Sequence, residues 1–368
     1  LANSGIITIF VVIPLNFYIM AKDKEVKVEE EKKSKTQLAL DKLNKEFGVG
    51  TAMKMKDAPV GHWDMDVIST GSLRLDMATG IGGLPRGRIV EIYGWESSGK
   101  TTLIEHVIAE AQAKGLQAGL IDAEHAYDPI YGKAIGINND DLVISQPDYG
   151  EQGLTVAEEL INTGEFGVII IDSVAAMTPK KEIDGEMGDS TMGLQSRMMG
   201  QAMRKLAAIA DNNNTLVIFI NQLREKIGVI FGTPETTSGG NALRFYASMR
   251  IDVRKSLDLA NELNTTKFKI VKNKLSDPFR TAKVDVLWGV GFDKVGEIIS
   301  LAAEMDIITK GGAGWYTIGE NKVQGEENLK ALLNDNPEYF QTIKDQVLQK
   351  IKDGYESPRE LPKEKESK

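Results

Sequence analysis

The chain has 368 residues, 42% hydrophobic and 26% charged, which is enough for one large α/β domain with smaller appendages and ordinary for a water-soluble protein. With no cysteine, disulfides and thiolate zinc sites are excluded, and the three histidines, His62, His106 and His125, are too scattered to suggest a metal centre. The formal net charge of −9 hides a basic stretch, Gln195–Lys274, with 13 Lys and Arg against 6 Asp and Glu. Such a stretch either binds phosphate backbones or is simply solvated surface, and charge alone does not separate the two.

Leu1–Tyr18 is uncharged and apolar, yet it lacks a basic n-region, carries Pro14 and Asn16, and offers no small-residue cleavage site. Met20-Ala21-Lys22 reads as an ordinary cytoplasmic start, so residues 1–19 are expected to be extraneous upstream sequence rather than a leader or membrane anchor. Asp23–Lys35 is a solvated charge run. Leu38, Leu40, Leu43 and Phe47 recur near helical spacing, predicting a short amphipathic helix over Thr36–Phe47 that closes near Gly48 and needs something to pack on.

From Val67 the text alternates between apolar strands and helices. Arg88–Tyr93 and Gln117–Ile121 read as strands flanking a helix over Thr101–Lys114, and Gly167–Ile171 and Thr215–Ile220 as strands buried on both faces. The pattern predicts a mainly parallel sheet covered by helices, over residues 66–292. Asp184–Leu194 and Leu223–Gly240 break it as Gly-, Ser- and Thr-rich loops, and loops that long in a compact domain are as a rule either functional or disordered. From Asp293 to residue 355 the chain reads as a small separate domain holding the Gly-rich Lys310–Trp315 segment. Residues 356–368, with Pro358 and Pro362, read as a disordered charged tail.

Gly94-Trp95-Glu96-Ser97-Ser98-Gly99-Lys100-Thr101 fits the P-loop pattern between a strand and a helix. There, backbone N–H groups wrap phosphates, Lys100 neutralises their charge and Thr101 ligates Mg²⁺. Val168–Asp172 is four apolar residues ending in an acid, which places Asp172 at a strand's carboxyl end to orient the Mg²⁺ shell, with coordination expected through water. Asp122 and Glu124 end the neighbouring strand in the same way; either carboxylate could orient the water that attacks a γ-phosphate, and position alone does not rank them.

Together with Ser145-Gln146-Pro147-Asp148, Ile171–Ala176, Phe219–Arg224, Pro234–Thr237, Gly239–Leu243 and Val271–Lys274, these residues resemble the bacterial RecA recombinase family from about Leu38 to Tyr339. The resemblance implies a RecA-type P-loop ATPase core, an N-terminal helix and strand within residues 20–65 that dock on the next subunit, and a small C-terminal α/β domain. It implies ATP and Mg²⁺ as cofactors, with Thr102 joining the phosphate-binding set and Asp128 and Tyr131 holding the adenine. Glu124 becomes the catalytic carboxylate, Gln222 the γ-phosphate sensor, and Lys272 and Lys274 reach the neighbouring subunit's ATP. The two irregular loops, 184–194 and 223–240, become the first and second DNA loops: Met192 and Ile227 would wedge between base triplets, while Arg197, Arg204, Arg224 and the backbone around Gly239, Gly240 and Asn241 hold DNA phosphates.

The activity implied is a self-assembling filament on single-stranded DNA that exchanges strands with double-stranded DNA, hydrolyses ATP under DNA stimulation and promotes self-cleavage of a LexA-type repressor in the SOS response, with help from loading mediators. The alternatives are a RecA-fold ring ATPase or helicase, and a weakly hydrolysing DNA-coating mobile-element paralogue. The chain departs from the family pattern at Trp95, where proline is usual, at Thr191 and Arg244, and in a tail with four acids and four bases.

Overall fold

A computed structural model describes residues 34–54, 66–225, 235–257, 264–319 and 321–354, and the chain divides into two compact units between Val60 and Gly61. The described part of the first unit is built around α1 (Lys35–Phe47). Ser34 caps it by accepting the Gln37 N–H at 3.2 Å, and Gly48 ends it at φ 106°. The apolar stripe foreseen for this helix is there, but Leu38, Leu43 and Phe47 all face solvent. The strand expected with it within residues 20–65 is not found among the described residues of that stretch, 34–54.

The second unit opens with β1 (Val67–Ile68), α2 (Leu73–Thr79) and β2 (Leu84–Pro85), β1 and β2 pairing antiparallel. Then follow β3 (Ile89–Gly94), α3 (Lys100–Ala113), β4 (Gln117–Asp122), α4 (Pro129–Ile135), β5 (Leu142–Ser145), α5 (Gly150–Asn162) and β6 (Phe166–Asp172). After α6 (Lys180–Ile183) and α7 (Leu194–Asn212) come β7 (Leu216–Glu225), β8 (Glu235–Thr237), α8 (Ala242–Tyr246), β9 (Met249–Leu257), β10 (Asn264–Asn273), β11 (Thr281–Leu287) and β12 (Gly291–Phe292).

The strands lie side by side in the order β12-β11-β10-β9-β3-β7-β6-β4-β5, with β8 added on β7. From β9 to β5 every pairing is parallel; the β12 end is antiparallel. Burial on both faces explains the continuous apolar runs. In β6, Val168 and Ile170 join the core under α3, while Ile169 and Ile171 join the one under α5 and α7. All four are fully buried.

One expectation needs correcting. Leu223–Gly240 is not irregular throughout: β7 runs on to Glu225 and pairs antiparallel with β8, Leu223 opposite Thr237 and Glu225 opposite Glu235. The β-branched Thr236 and Thr237 find a ladder partner that local composition does not announce. Likewise Leu194 already belongs to α7.

The C-terminal part has α9 (Lys294–Glu304), β13 (Thr309–Lys310), β14 (Trp315–Ile318), β15 (Asn321–Gln324), α10 (Glu326–Asp335) and α11 (Pro337–Lys352). It has its own core, with Ile299, Leu301, Ile318, Leu329 and Val347. It is fastened to the larger body by Glu297 of α9, whose carboxylate accepts from Ser72 Oγ (2.5 Å) and from the N–H groups of Leu73 (2.9 Å) and Arg74 (3.2 Å) at the start of α2. Burial nevertheless pushes the Glu297 carboxyl up, against the pull of those donors. Glu297→Ala strips these donors of their acceptor and should cost about 2–4 kcal/mol. Denaturant unfolding measures that cost, and limited proteolysis should show faster cutting near residue 293; unchanged stability would mean the clamp contributes nothing.

Candidate nucleotide and DNA site

The loop between β3 and α3 is shaped by backbone demands. A Cβ on Gly94 would lie 2.3 Å from the Val253 carbonyl of β9, and Gly99 sits at φ 98°, so both positions call for glycine. Lys100 opens α3, is buried, and donates from Nζ to the Trp95 carbonyl at 2.8 Å. Burial lowers its pKa, while Asp172, Glu124 and Glu96 pull the other way. The Ser98 hydroxyl is buried without a hydrogen-bond partner. An ammonium resting on a carbonyl, an unmatched hydroxyl and the N-terminus of a 14-residue helix together suit a phosphate.

Two strand ends bring carboxylates to this loop. Asp172 closes β6; its pKa is raised to about 7 by burial, then by Glu124 and Asp122, against Lys100 and a hydrogen bond from Thr101. Thr101 and Asp172 are thus adjacent, as a Mg²⁺ site requires. Among the described residues no group of three or more acidic or histidine ligands gathers. Mg²⁺ takes one or two protein oxygens and fills its shell with phosphate and water, and Thr101 and Asp172 could supply such oxygens.

The structure separates the two acids of the neighbouring strand. Asp122 is buried and fully engaged, accepting from Ala126 N (3.1 Å), Tyr127 N (3.3 Å) and Gln146 Nε2 (3.0 Å), so it braces the following loop. Glu124 faces outward; it accepts from Ser173 Oγ and, at 2.9 Å, from Gln222 Nε2 at the C-terminal end of β7. Asp128 caps α4, accepting from Ile130 N (2.8 Å) and Tyr131 N (3.4 Å). Tyr131 packs on the core, its hydroxyl 3.3 Å from Thr102 Oγ1, and burial raises its pKa.

Lys272 and Lys274 are not near this loop. Lys272 pairs with Arg250, and Arg250 with Glu91, three residues before Gly94; Lys274 N bonds Ser248 O still further back. Since β10 runs against β3, both lysines lie toward the end of the sheet away from Lys100, Lys272 level with the middle of β3 and Lys274 with its start. Their Nζ groups rest on the carbonyls of α8: Lys272 on Arg244 (2.8 Å) and Phe245 (3.0 Å), Lys274 on Phe245 (3.3 Å).

The expected DNA residues cluster in part. Met192 is almost fully exposed at the entry to α7, and Arg197 and Arg204, seven residues apart, share that helix's exposed face. Gly239 and Gly240, both at left-handed φ, pack so closely on Val174 and Ser196 that a Cβ would clash, which sets Asn241 beside the first turn of α7. Arg224 is exposed on β7, whereas Ile227 lies outside the described residues.

Sequence reasoning missed the buried polar groups. Glu91 in β3 is wholly buried, paired with Arg250 (2.5 Å) and Asn221 (3.0 Å). Glu105 and His106 interrupt the apolar run of α3, the one available signal. His106 is stacked on Phe292 at 4.2 Å and accepts its N–H at 2.8 Å; burial lowers its pKa to about 3. Glu105 is buried with one carboxyl oxygen unpartnered, and its pKa is raised to about 8 by burial, with Asp128 and Asp172 adding.

A phosphate-binding loop and an acid-ended strand at the carboxyl edge of a parallel sheet define a P-loop nucleotide-binding α/β protein. Comparison with known proteins narrows this. The model of the RecA N-terminal domain matches residues 34–293 and that of the RecA C-terminal domain residues 296–352. Among similar proteins, Protein RecA of Dichelobacter nodosus is 54% identical over 328 residues, covering 88% of this chain and 93% of that one. Protein RecA of Methylococcus capsulatus is 53% identical over 334 residues (89% and 96%), and that of Porphyromonas gingivalis 51% over 339 (90% and 99%). The chain belongs to the RecA family, and with it to the recombinases of DNA repair.

The raised pKa of Glu105 makes stability fall as pH climbs from its unfolded value near 4.5 through about 8, because the folded protein keeps a proton the unfolded chain releases. Glu105→Leu should remove that slope and gain roughly 3 kcal/mol at pH 8 over the wild type, with little gain at pH 5. Denaturation midpoints across this range decide it; parallel curves would show that Glu105 is not held protonated.

Proposed function

We propose that this protein is an ATP-dependent recombinase that assembles head to tail into a helical filament on single-stranded DNA and pairs it with double-stranded DNA. The observation that carries the reading is the Gln222–Glu124 hydrogen bond, which ties the acid beside the P-loop to the strand that leads into the second DNA loop. Lys100 and Ser98 bind the triphosphate; Thr101 and Asp172 hold Mg²⁺, which supplies charge neutralisation when bound. Glu124 orients the attacking water and takes its proton. A γ-phosphate oxygen competes for the Gln222 amide, so the phosphate state is felt two residues on, at Arg224.

The place of Lys272 and Lys274 supports service in trans. They cannot turn to their own P-loop, but a head-to-tail neighbour brings one end of the sheet to the other, and contacts of that kind that do not close generate an open helix. Met192, Arg197, Arg204, Arg224 and the Gly239–Asn241 backbone bind DNA, phosphate contacts giving affinity and the apolar tip separating bases. Asp128 and Tyr131 hold the adenine. Work in the cytoplasm, stimulation of a LexA-type repressor's self-cleavage, and loading mediators follow from the family; among the described residues no helix is long and apolar enough to cross a membrane. Electron microscopy with an ATP analogue and single strands should show open filaments, and closed rings would overturn the assembly.

Lys100→Ala should abolish ATP-dependent DNA binding, since phosphate charge goes uncompensated. Glu124→Ala should still bind ATP and assemble but hydrolyse it about a hundredfold or more slowly. Nucleotide binding and turnover measured side by side test this; equal loss of ATP binding in both would remove Glu124 from the chemistry.

The double variant Lys272→Ala with Lys274→Ala should bind nucleotide as isolated protomers yet lose stimulation of hydrolysis by single-stranded DNA. Mixing it with Lys100→Ala protein should restore part of the activity, because an intact P-loop then meets a neighbour that keeps its lysines. No recovery at any ratio of folded, co-assembling proteins would rule out service in trans.

A further inference from the structure

Trp95 stands where the family pattern has proline, and the chemistry above makes no use of its side chain. The ring has a partner outside its own loop. Its indole N–H donates to Oε1 of Glu235, 3.2 Å away, the first residue of β8. The same carboxylate is gripped at both oxygens by Arg254 of β9, at 2.8 and 2.5 Å, and Arg254 Nε reaches Asp252 at 2.7 Å. β9 is also the strand on which Gly94 packs. The phosphate loop, the base of the second DNA hairpin and β9 are therefore joined by one charge-assisted network. Trp95 holds two things at once: its side chain holds Glu235, and its carbonyl accepts the Lys100 ammonium at 2.8 Å.

We propose that Trp95 is a positioning residue that latches the phosphate loop to β8, so that phosphate at Lys100 and DNA on the second hairpin influence each other through Trp95 and Glu235. The inference rests on the ATP and DNA reading above. A phosphate oxygen competes with the Trp95 carbonyl for Lys100. The released peptide is free to turn, and the indole carries that turn to Glu235 and, through the Arg224–Thr236 pairing, to β7. This route is distinct from the Gln222–Glu124 contact. That contact enters the hairpin through β7, whereas Trp95 enters through β8, so both strands of the hairpin are tied to the nucleotide site.

The test uses the full chain, a non-hydrolysable ATP analogue at saturation and a fluorescent oligo-dT. The readouts are DNA affinity with and without the analogue, and amide exchange over Leu223–Glu225 and Glu235–Thr237. In the wild type the analogue should tighten DNA binding and slow exchange in β8. Trp95→Phe keeps a ring but loses the N–H, and Glu235→Gln keeps an acceptor but loses the charge. Each should shrink the ratio of the two DNA affinities by about fivefold and erase the exchange change. The double variant should be no worse than the more affected single one, since both substitutions act on one link, the first by removing the indole donor and the second by removing the carboxylate charge that Arg254 holds beneath it. Normal coupling in Trp95→Phe, or additive losses in the double variant, would overturn the latch alone. A wild type whose DNA affinity ignores nucleotide would overturn the broader reading and the latch with it.

Discussion

The site depends on a carboxylate that never meets a nucleotide. Glu91 lies in the middle of β3, wholly buried, and a lone carboxylate there would cost several kcal/mol. Arg250 of β9 pairs with it from one side and Asn221 of β7 from the other, with the Arg250 guanidinium also over the Tyr93 ring at 4.5 Å. A one-residue slip of either neighbour would leave that charge unmatched. The pair therefore holds β9, β3 and β7 in the register at which Gly94, Gln222 and Val253 lie level.

Asn221 extends the constraint outward. Its amide also donates to Ser238 O at 3.0 Å, and its carbonyl accepts from Ser238 N at 3.2 Å and Gln222 N at 2.9 Å. The residue that follows β8 and the Gln222 backbone are thereby set by the same buried group. Gln222 can then reach Glu124, while Asp122, two residues earlier, is occupied bracing its own loop. Neighbouring carboxylates with different partners acquire different duties.

What could be read from the residues followed how local each signal was. The P-loop and the buried strands were legible because both are continuous runs with a single structural meaning. The β7–β8 ladder was not, since Thr236 and Thr237 look like loop residues until Leu223 and Arg224 are opposite them. Nor could the sequence tell the surroundings of Asp122 from those of Glu124, because the donors that distinguish them, Gln146 just after β5 and Gln222 on β7, lie far along the chain. Glu105 and His106 were visible as polar intrusions in an apolar helix, but only packing on Phe292 shows why the histidine stays neutral. For Trp95 the departure itself was plain, and its partner, 140 residues away, was not.

The two ends of the sheet carry unlike halves of one catalytic unit, if the lysines of β10 serve a neighbour. A protomer with its P-loop at one edge and Lys272 and Lys274 at the other owns two halves that can never face each other. Any open row of such protomers then ends in one P-loop without lysines and one pair of lysines without a P-loop, whatever its length. The two tips are chemically different, so such a row has a head and a tail. Turnover would distinguish them, because the tip lacking donated lysines would hold its ATP longest while the opposite tip worked like the interior.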